Sequence, residues 1–148
     1  MKLLLAIDES KYSEAATNAA MQLQAEQCEV YVLHVVKPPV LIPYAYIGEV
    51  DDLGQVVAEE MRRGKDLLDR AQQVLTSAGF RVQTLLERGD PRDIILDQAA
   101  RLNVDLVIVG SHGLTGLDRF LIGSVSEAVL RHAHCSVEIV RILKSAPA

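Results

Sequence analysis

The sequence predicts an α/β protein, a three-layer sandwich in which helices cover both faces of a parallel sheet. Two observations favour this class. Apolar runs rich in valine, isoleucine and leucine alternate with stretches of helical period, which gives five strands and four helices in strict alternation. Several of the runs are apolar at nearly every position, which is typical of strands buried on both faces. With 148 residues and no linker or internal repeat, the chain is expected to form one domain over residues 1–148.

Five short segments have the composition of strands. The first, second and fourth are apolar almost throughout, so both of their faces are expected to be buried. Since helices separate all five segments, right-handed crossovers are expected to join the strands into one parallel sheet. The predicted strands cover residues 3–7, 30–36, 82–86, 104–109 and 137–142.

Apolar residues at helical spacing predict the first two helices. The first helix presents one face made of Ala16, Ala19, Ala20 and Leu23. The second presents a longer face made of Val57, Met61, Gly64, Leu68, Ala71 and Leu75. A glycine just past the end of a helix commonly stops it, so Gly79 is expected to end the second helix.

Start signals define the third and fourth helices. Asp90 is expected to cap the third helix, with Pro91 at its first position and Asp93 in its first turn. Ser124 and Glu127 have the spacing of a capping box, which predicts that the fourth helix starts at Ser124 with several backbone N–H groups unpaired. Ile95, Ala99 and Leu102 are expected to form the buried stripe of the third helix, and the fourth helix carries Val125, Ala128, Val129 and His132 on one side.

A glycine-rich stretch, GSHGLTGLDRFLIGSVSE, begins at Gly110 directly after the fourth predicted strand. In open α/β sheets, ligands bind at the carboxyl ends of the strands, and the start of a helix attracts phosphate. Gly110 and Gly113 would let the loop backbone approach a ligand, and Gly123 would leave room ahead of the helix. The alternative is a flexible connection with glycine at its turns. The spacing matches neither the dinucleotide fingerprint nor the P-loop.

Composition excludes several classes of partner. The net charge of −5 disfavours binding to nucleic acid or to an anionic membrane surface.

The apolar run after Met1 is too short for a signal peptide, and no segment has the length of a membrane span, so the cytoplasm is the expected location. Cys28 and Cys135 lack metal-ligand spacing and are interpreted as reduced thiols. His132 and His134 are interpreted as cations at a helix end, not as metal ligands.

The glycine spacing resembles a known signature. Gly110, Gly113 and the pair Gly123-Ser124 fit G-2x-G-9x-G-[ST], the signature of the ATP-binding branch of the universal stress protein family. The resemblance extends to LLLAIDES, LHVV, GDPRDII, NVDLVIVGSHG and GSVSEAVLRHAHCSVEIVR, and so to nearly the whole chain. It implies a Rossmann-like fold of the adenine nucleotide alpha hydrolase type, with strand order 3-2-1-4-5. The sequence departs from many relatives at Cys135-Ser136, where those relatives have proline.

The resemblance also implies an ATP site at the ends of the first, second and fourth strands, with Mg²⁺ or Mn²⁺ on the phosphates. AMP or a cyclic nucleotide would use much of the same pocket. Asp8 would accept hydrogen bonds from the ribose hydroxyls, and Val35, which follows the second-strand histidine, would line the adenine pocket. The implied binding residues are Ala6, Ile7, Asp8, Val35, Val109, Gly110, His112, Gly113, Gly123, Ser124, Val125 and Ser126.

The expected function is that of a nucleotide-dependent stress or signalling protein with an unidentified protein partner. The alternatives are an interaction module that works without nucleotide, and a slow ATPase. No complete set of a base, an oriented water and an arginine finger is recognisable, and Arg119 is interpreted as an exposed loop residue. The loop after the second strand, with Tyr44 and Tyr46, forms either a lid or a surface connection. The last strand is expected to lie at an uncovered sheet edge. This predicts a homodimer in which the last strands of the two copies pair antiparallel.

Overall fold

The computed structural model describes residues 1–39, 50–112 and 122–142, with the side chains of residues 50–52 excepted. The expectations for Gly113, Arg119, Tyr44 and Tyr46 concern residues outside these ranges, as does the tail from residue 143 onward. Within them, strands and helices alternate in the order β1 (Lys2–Ala6), α1 (Lys11–Ala20), β2 (Glu29–Val36), α2 (Val50–Ser77), β3 (Arg81–Arg88), α3 (Pro91–Leu102), β4 (Leu106–Gly110), α4 (Ser124–His132) and β5 (Ser136–Val140).

All neighbouring strands in the sheet are parallel, and the strand order is β3-β2-β1-β4-β5. The predicted fold class and strand order are confirmed. The three strands that are apolar almost throughout are β2, β1 and β4, and they occupy the middle of the sheet. The outer strands β3 and β5 are only partly buried.

Separate apolar cores lie on the two faces of the sheet. Leu3 and Leu5 pack on one face with residues of α1 and α2, whereas Leu4 packs on the other face with residues of α3 and α4. All three leucines are completely buried because successive side chains of a strand point to opposite faces. Helices therefore cover both sides of β1, as the continuous apolar pattern predicted.

The start of α3 and the end of α2 follow the predicted signals, whereas the end of α1 does not. The Asp90 side chain caps α3 by accepting from the backbone N–H of Arg92, and Gly79 has the positive φ of 93° that only glycine adopts readily. The first helix is shorter than its apolar face suggested. It ends at Ala20, and Leu23 packs against the core from the following turns.

The sheet has a switch point between β1 and β4. The chain leaves β1 toward β2 and leaves β4 toward β5, so the two connections run in opposite directions from neighbouring strands. Such a divergence opens a crevice at the carboxyl ends of the strands. Among the helices described, none is long and apolar enough to cross a membrane.

Candidate functional site

A cavity of about 660 Å³ lies at the carboxyl ends of β1, β2 and β4. The first half of α2 closes one side, and the starts of α3 and α4 close the other. The volume is within the range of small-molecule sites, which is roughly 300–1,000 Å³. The crevice at the switch point is therefore large enough for a ligand of nucleotide size.

Every predicted site residue except Gly113, which lies outside the described ranges, borders this cavity. These residues come from four segments of the chain, and the topology brings them together at one edge of the sheet. Contact with a ligand remains a prediction for each of them. The residues that line the cavity as expected are Ala6, Ile7, Asp8, Val35, Val109, Gly110, His112, Gly123, Ser124, Val125 and Ser126.

The carboxylate of Asp8 organises the turn between β1 and α1. Its Oδ1 accepts from the backbone N–H of Ser10 at 2.9 Å and from the hydroxyl of Ser13 at 2.8 Å. The Ser13 hydroxyl oxygen in turn accepts from the backbone N–H of Asp8 at 2.7 Å. Oδ2 of Asp8 accepts no hydrogen bond from any described residue. One carboxylate oxygen thus holds the turn, and the other is available to a ligand.

Two hydrogen bonds fasten the start of α4 to the end of β4. The hydroxyl of Ser126 donates to the carbonyl of Gly110 at 2.6 Å, and the backbone N–H of Gly123 donates to the carbonyl of Ser111 at 2.7 Å. Ser126 is almost completely buried. Its hydroxyl proton is therefore used within the protein, and Ser126 can offer a ligand its backbone N–H but not its hydroxyl proton.

The fourth helix starts at Ser124, as predicted, but the capping box does not form. Gly123 occupies the cap position, with no side-chain cap, and Ser124 is the first residue of the helix. The reason is the hydrogen bond from Gly123 to Ser111, which holds Gly123 in an extended conformation one residue earlier than the pattern suggested. The Glu127 carboxylate instead pairs with Arg131 at 2.9 Å.

At the start of α4, several backbone N–H groups have no acceptor among the described residues. The first backbone N–H groups of a helix have no partner within the helix. Those of Ser124, Val125 and Ser126 donate to nothing in the part of the chain that the structure describes, and the first helical bond runs from Glu127 to Gly123. The Ser124 side chain is exposed as well. These donors lie on the wall of the cavity.

Gly110 is required by packing between elements of the protein itself. A Cβ at this position would lie 2.7 Å from Cβ of Tyr12 and 2.9 Å from its backbone carbonyl group. These distances show that α1 crosses directly against the end of β4. This contact between a strand and a helix is one reason for glycine at position 110, and the approach of a ligand to Gly110 stays a prediction.

Two histidines on the cavity wall are held by local contacts. His34 donates from Nδ1 to the carbonyl of Ile7 at 2.8 Å, which fixes its tautomer because a carbonyl can only accept. His112 contacts the Ser111 hydroxyl through Nδ1 and packs on the Tyr12 ring with a centroid separation of 5.1 Å. Its Nε2 is buried without a hydrogen-bond partner among the described residues.

The contribution of α2 to the cavity was not predicted from the sequence. Glu60 and Arg63 line the cavity, and Arg63 forms ion pairs with Glu60 and with Glu9 of the β1–α1 turn. The apolar stripe predicted for this helix covers only residues 57–75, and the signal lies in the length of the whole helix instead. A helix of 28 residues spans about 42 Å, whereas the 8 residues of β2 span about 26 Å. The helix must therefore project past the end of the sheet, where the cavity lies.

Neither metal-ligand side chains nor reactive thiols distinguish the site. Within residues 1–39, 50–112 and 122–142, no group of three or more histidine, cysteine, aspartate or glutamate side chains is arranged to hold a metal ion. His132 and His134 are exposed. Cys28 and Cys135 are free, and burial raises the pKa of the Cys135 thiol, which disfavours the reactive thiolate.

Comparison with known proteins gives a consistent family. The model of the universal stress protein family matches residues 1–141. Universal stress protein YxiE of Bacillus subtilis is 34% identical over 145 residues, which cover 95% of this chain and 98% of that protein. The solved structure of hypothetical protein MJ0577 superposes with a TM-score of 0.85 at 27% identity, over 97% of both chains.

Two more distant structures share the fold and hold adenine nucleotides. One is a universal stress protein in complex with cAMP, 23% identical, with a TM-score of 0.62 and 95% of each chain covered. The other is the Arabidopsis thaliana protein At3g01520 with AMP bound, 22% identical, with a TM-score of 0.68 over 97% of this chain and 92% of that one. Because the family match spans nearly the whole chain, the protein belongs to the universal stress protein family.

Proposed function

We propose that this protein binds an adenine nucleotide, preferentially ATP, in the cavity at the ends of β1, β2 and β4. The protein acts as a single domain in the cytoplasm, and its nucleotide state alters its shape or its binding to a protein partner. The proposal rests on two features of the same cavity: an apolar wall, and three N–H groups at the start of α4 that donate to none of the described residues. The two nucleotide-bound relatives of the same fold support it.

The base fits the apolar side of the cavity. Ile7 and Val35 line it at the ends of β1 and β2, Val57 lines it from α2, and Pro39 lines it from the segment after β2. The transfer of a flat heteroaromatic ring from water to such surroundings is favourable because it lowers the free energy. The adenine ring is accordingly placed between β2 and α2.

The sugar and the phosphates fit the polar side. Oδ2 of Asp8, which accepts no hydrogen bond from the described residues, is positioned to accept from a ribose hydroxyl. The N–H groups of Ser124, Val125 and Ser126, together with the Ser124 hydroxyl, are suited to phosphate oxygens. A divalent ion would depend mainly on the phosphates, because the described residues offer no metal-ligand cluster.

Mass spectrometry of the small molecules released from freshly purified, denatured protein tests the proposal. We expect an adenine nucleotide to be recovered, with the triphosphate intact, because no catalytic set is recognisable among the described residues of the site. Calorimetric titration of ligand-free protein provides the companion measurement. Preparations without nucleotide that also fail to bind ATP, AMP and cAMP would reject the proposal, and recovery of ADP with measurable phosphate release would favour a slow ATPase.

We also propose that the protein is a homodimer joined through β5. This strand lies at the edge of the sheet and pairs only with β4 among the described strands, which leaves one row of backbone groups open to pairing. Ile142, which lies just after β5, is 39% exposed, so apolar surface continues along the chain from this edge strand. A two-fold axis would set the two β5 strands antiparallel.

The dimer is tested by light scattering coupled to size exclusion. At micromolar protein concentration we expect a mass near twice the chain mass of 16.2 kDa. A mass that stays at one chain over this concentration range would reject pairing through β5.

A further inference from the structure

A second cavity, of about 450 Å³, adjoins the first near the start of α4. It is bordered by the segment after β2, by the turn that leads into α3 and by the first residues of α4. Because several residues line both cavities, the two volumes meet along one seam. The shared residues are Lys37, Pro91, Ser124 and Val125.

The cationic side chains around the two cavities are not equivalent. Arg63 is paired with Glu9 at 2.5 Å, and it also contacts Glu60 at 3.3 Å. Arg92 is paired with Asp90 at 2.5 Å. Lys37 makes no salt bridge with any residue that the structure describes. Among the described residues, Lys37 is therefore the cation of this seam that forms no ion pair.

Asp90 borders the second cavity together with Lys37, but its carboxylate is already bound to Arg92. Both of its oxygens accept from the Arg92 guanidinium, and Oδ1 also accepts from the Arg92 backbone N–H. These bonds, with a smaller contribution from the charge of Lys37, lower the pKa of Asp90 to about 2. Asp90 and Arg92 thus neutralise each other, and the ammonium group of Lys37 remains available.

The backbone holds Lys37 in place. It directly follows the last residue of β2, Val36, whose carbonyl accepts from the backbone N–H of Gly89 at 3.1 Å. It directly precedes Pro38 and Pro39, and a residue before proline is restricted to extended conformations. The root of the side chain is therefore fixed at the seam, while the flexible side chain reaches along it.

We propose that Lys37 selects nucleotides by the length of their phosphate chain. The inference rests on the proposed nucleotide site. A monophosphate is served by the donors at the start of α4, whereas the β- and γ-phosphates of a triphosphate extend past Ser124 along the seam toward Lys37. The lysine then contributes to the binding of ATP and little to that of AMP, so the ligand class is nucleoside triphosphates.

Calorimetric titration of four proteins with ATP and with AMP tests this assignment. In Lys37→Gln we expect ATP to bind about 10-fold more weakly and AMP to change by less than about 2-fold. Lys37→Arg keeps the charge and should retain most of the ATP affinity. Lys65→Gln is the matched control because this substitution removes the same charge. Lys65 pairs with Asp69 on α2 and lines neither cavity.

The possible failures are distinguishable. If Lys37→Gln weakens ATP and AMP equally, or weakens neither, the role of Lys37 is wrong while the nucleotide site stands. If Lys65→Gln lowers ATP affinity as much as Lys37→Gln, the effect is one of net charge and the inference also fails. If the unmodified protein binds neither nucleotide, the proposed function is rejected, and the selectivity of Lys37 with it.

Discussion

Replacing Ser124 with proline is expected to weaken ATP binding by about 30-fold or more, and adenosine binding by less than about 2-fold. The substitution removes one backbone N–H and one hydroxyl from the start of α4, where the phosphates are proposed to bind. Proline is well tolerated at the first position of a helix. Gly123, with φ of −63° and ψ of 156°, already has the conformation that a residue before proline requires.

The comparison variant is Ser124→Ala, which removes the hydroxyl alone and should cost ATP less affinity than proline does. Because Ser124 does not cap the helix, neither change should lower the melting temperature appreciably. Titration calorimetry with ATP and adenosine, together with thermal unfolding of each variant, supplies the comparison. A Ser124→Pro protein that melts like the parent and still binds ATP like the parent would contradict the phosphate site.

Gly110→Ala is expected to lower the free energy of unfolding by about 3 kcal/mol. The added Cβ would lie 2.7 Å from Cβ of Tyr12 and 2.9 Å from the Tyr12 backbone carbonyl group. A flexible side chain could turn away from such a contact, but the backbone of α1 cannot move without disturbing the core. The loss is therefore expected to be large for a change of one methyl group.

Gly54→Ala provides the control for this glycine. Gly54 lies in α2, and a Cβ there would have no atom within 4 Å. Alanine should raise the free energy of unfolding by about 0.5–1 kcal/mol because it is the better helix former. Urea unfolding measures both changes. Equal unfolding midpoints for Gly110→Ala and the parent would show that α1 does not press against the end of β4.

The fold was predictable because its signals are local and periodic. Near-continuous apolar strands identified the middle of the sheet, and Asp90 and Gly79 marked the boundaries of α3 and α2. Convergence of the site segments followed from the topology, since parallel strands bring their carboxyl ends to one edge. Residues such as Asp8 and Ser124 could thus be placed on one cavity from their positions relative to the strands.

Contacts between distant segments were not predictable in the same way. The serine and glutamate at the start of α4 have capping-box spacing, but the bond from Gly123 to Ser111, a tertiary contact, decided which residue caps the helix. The surroundings of Gly123 were likewise not predictable from the sequence. A side chain there would lie 3.1 Å from the Ser111 carbonyl oxygen, so Gly123→Val would disturb the protein itself and is a poor test of phosphate binding.

The charged rim also depends on three-dimensional placement. Arg63 is one of many charged residues on an exposed helix, and only its position opposite Glu9 puts it on the cavity wall. Lys37 follows a strand and precedes two prolines, features that suggest a simple surface connection. The role proposed for Lys37 depends on two facts that only the structure gives. Lys37 lines both cavities, and the arginines that line them are paired with carboxylates.

The central claim is that an adenine nucleotide binds with its phosphates at the start of α4. Backbone amide chemical shifts in a ¹⁵N-labelled protein, recorded during titration with ATP and separately with adenosine, test it most directly. Both ligands should shift the amides of Asp8 and Val35, and only ATP should shift those of Ser124, Val125 and Ser126 strongly. Strong shifts of the α4 amides by adenosine alone, or ATP-induced shifts confined to residues outside the cavity, would contradict the claim.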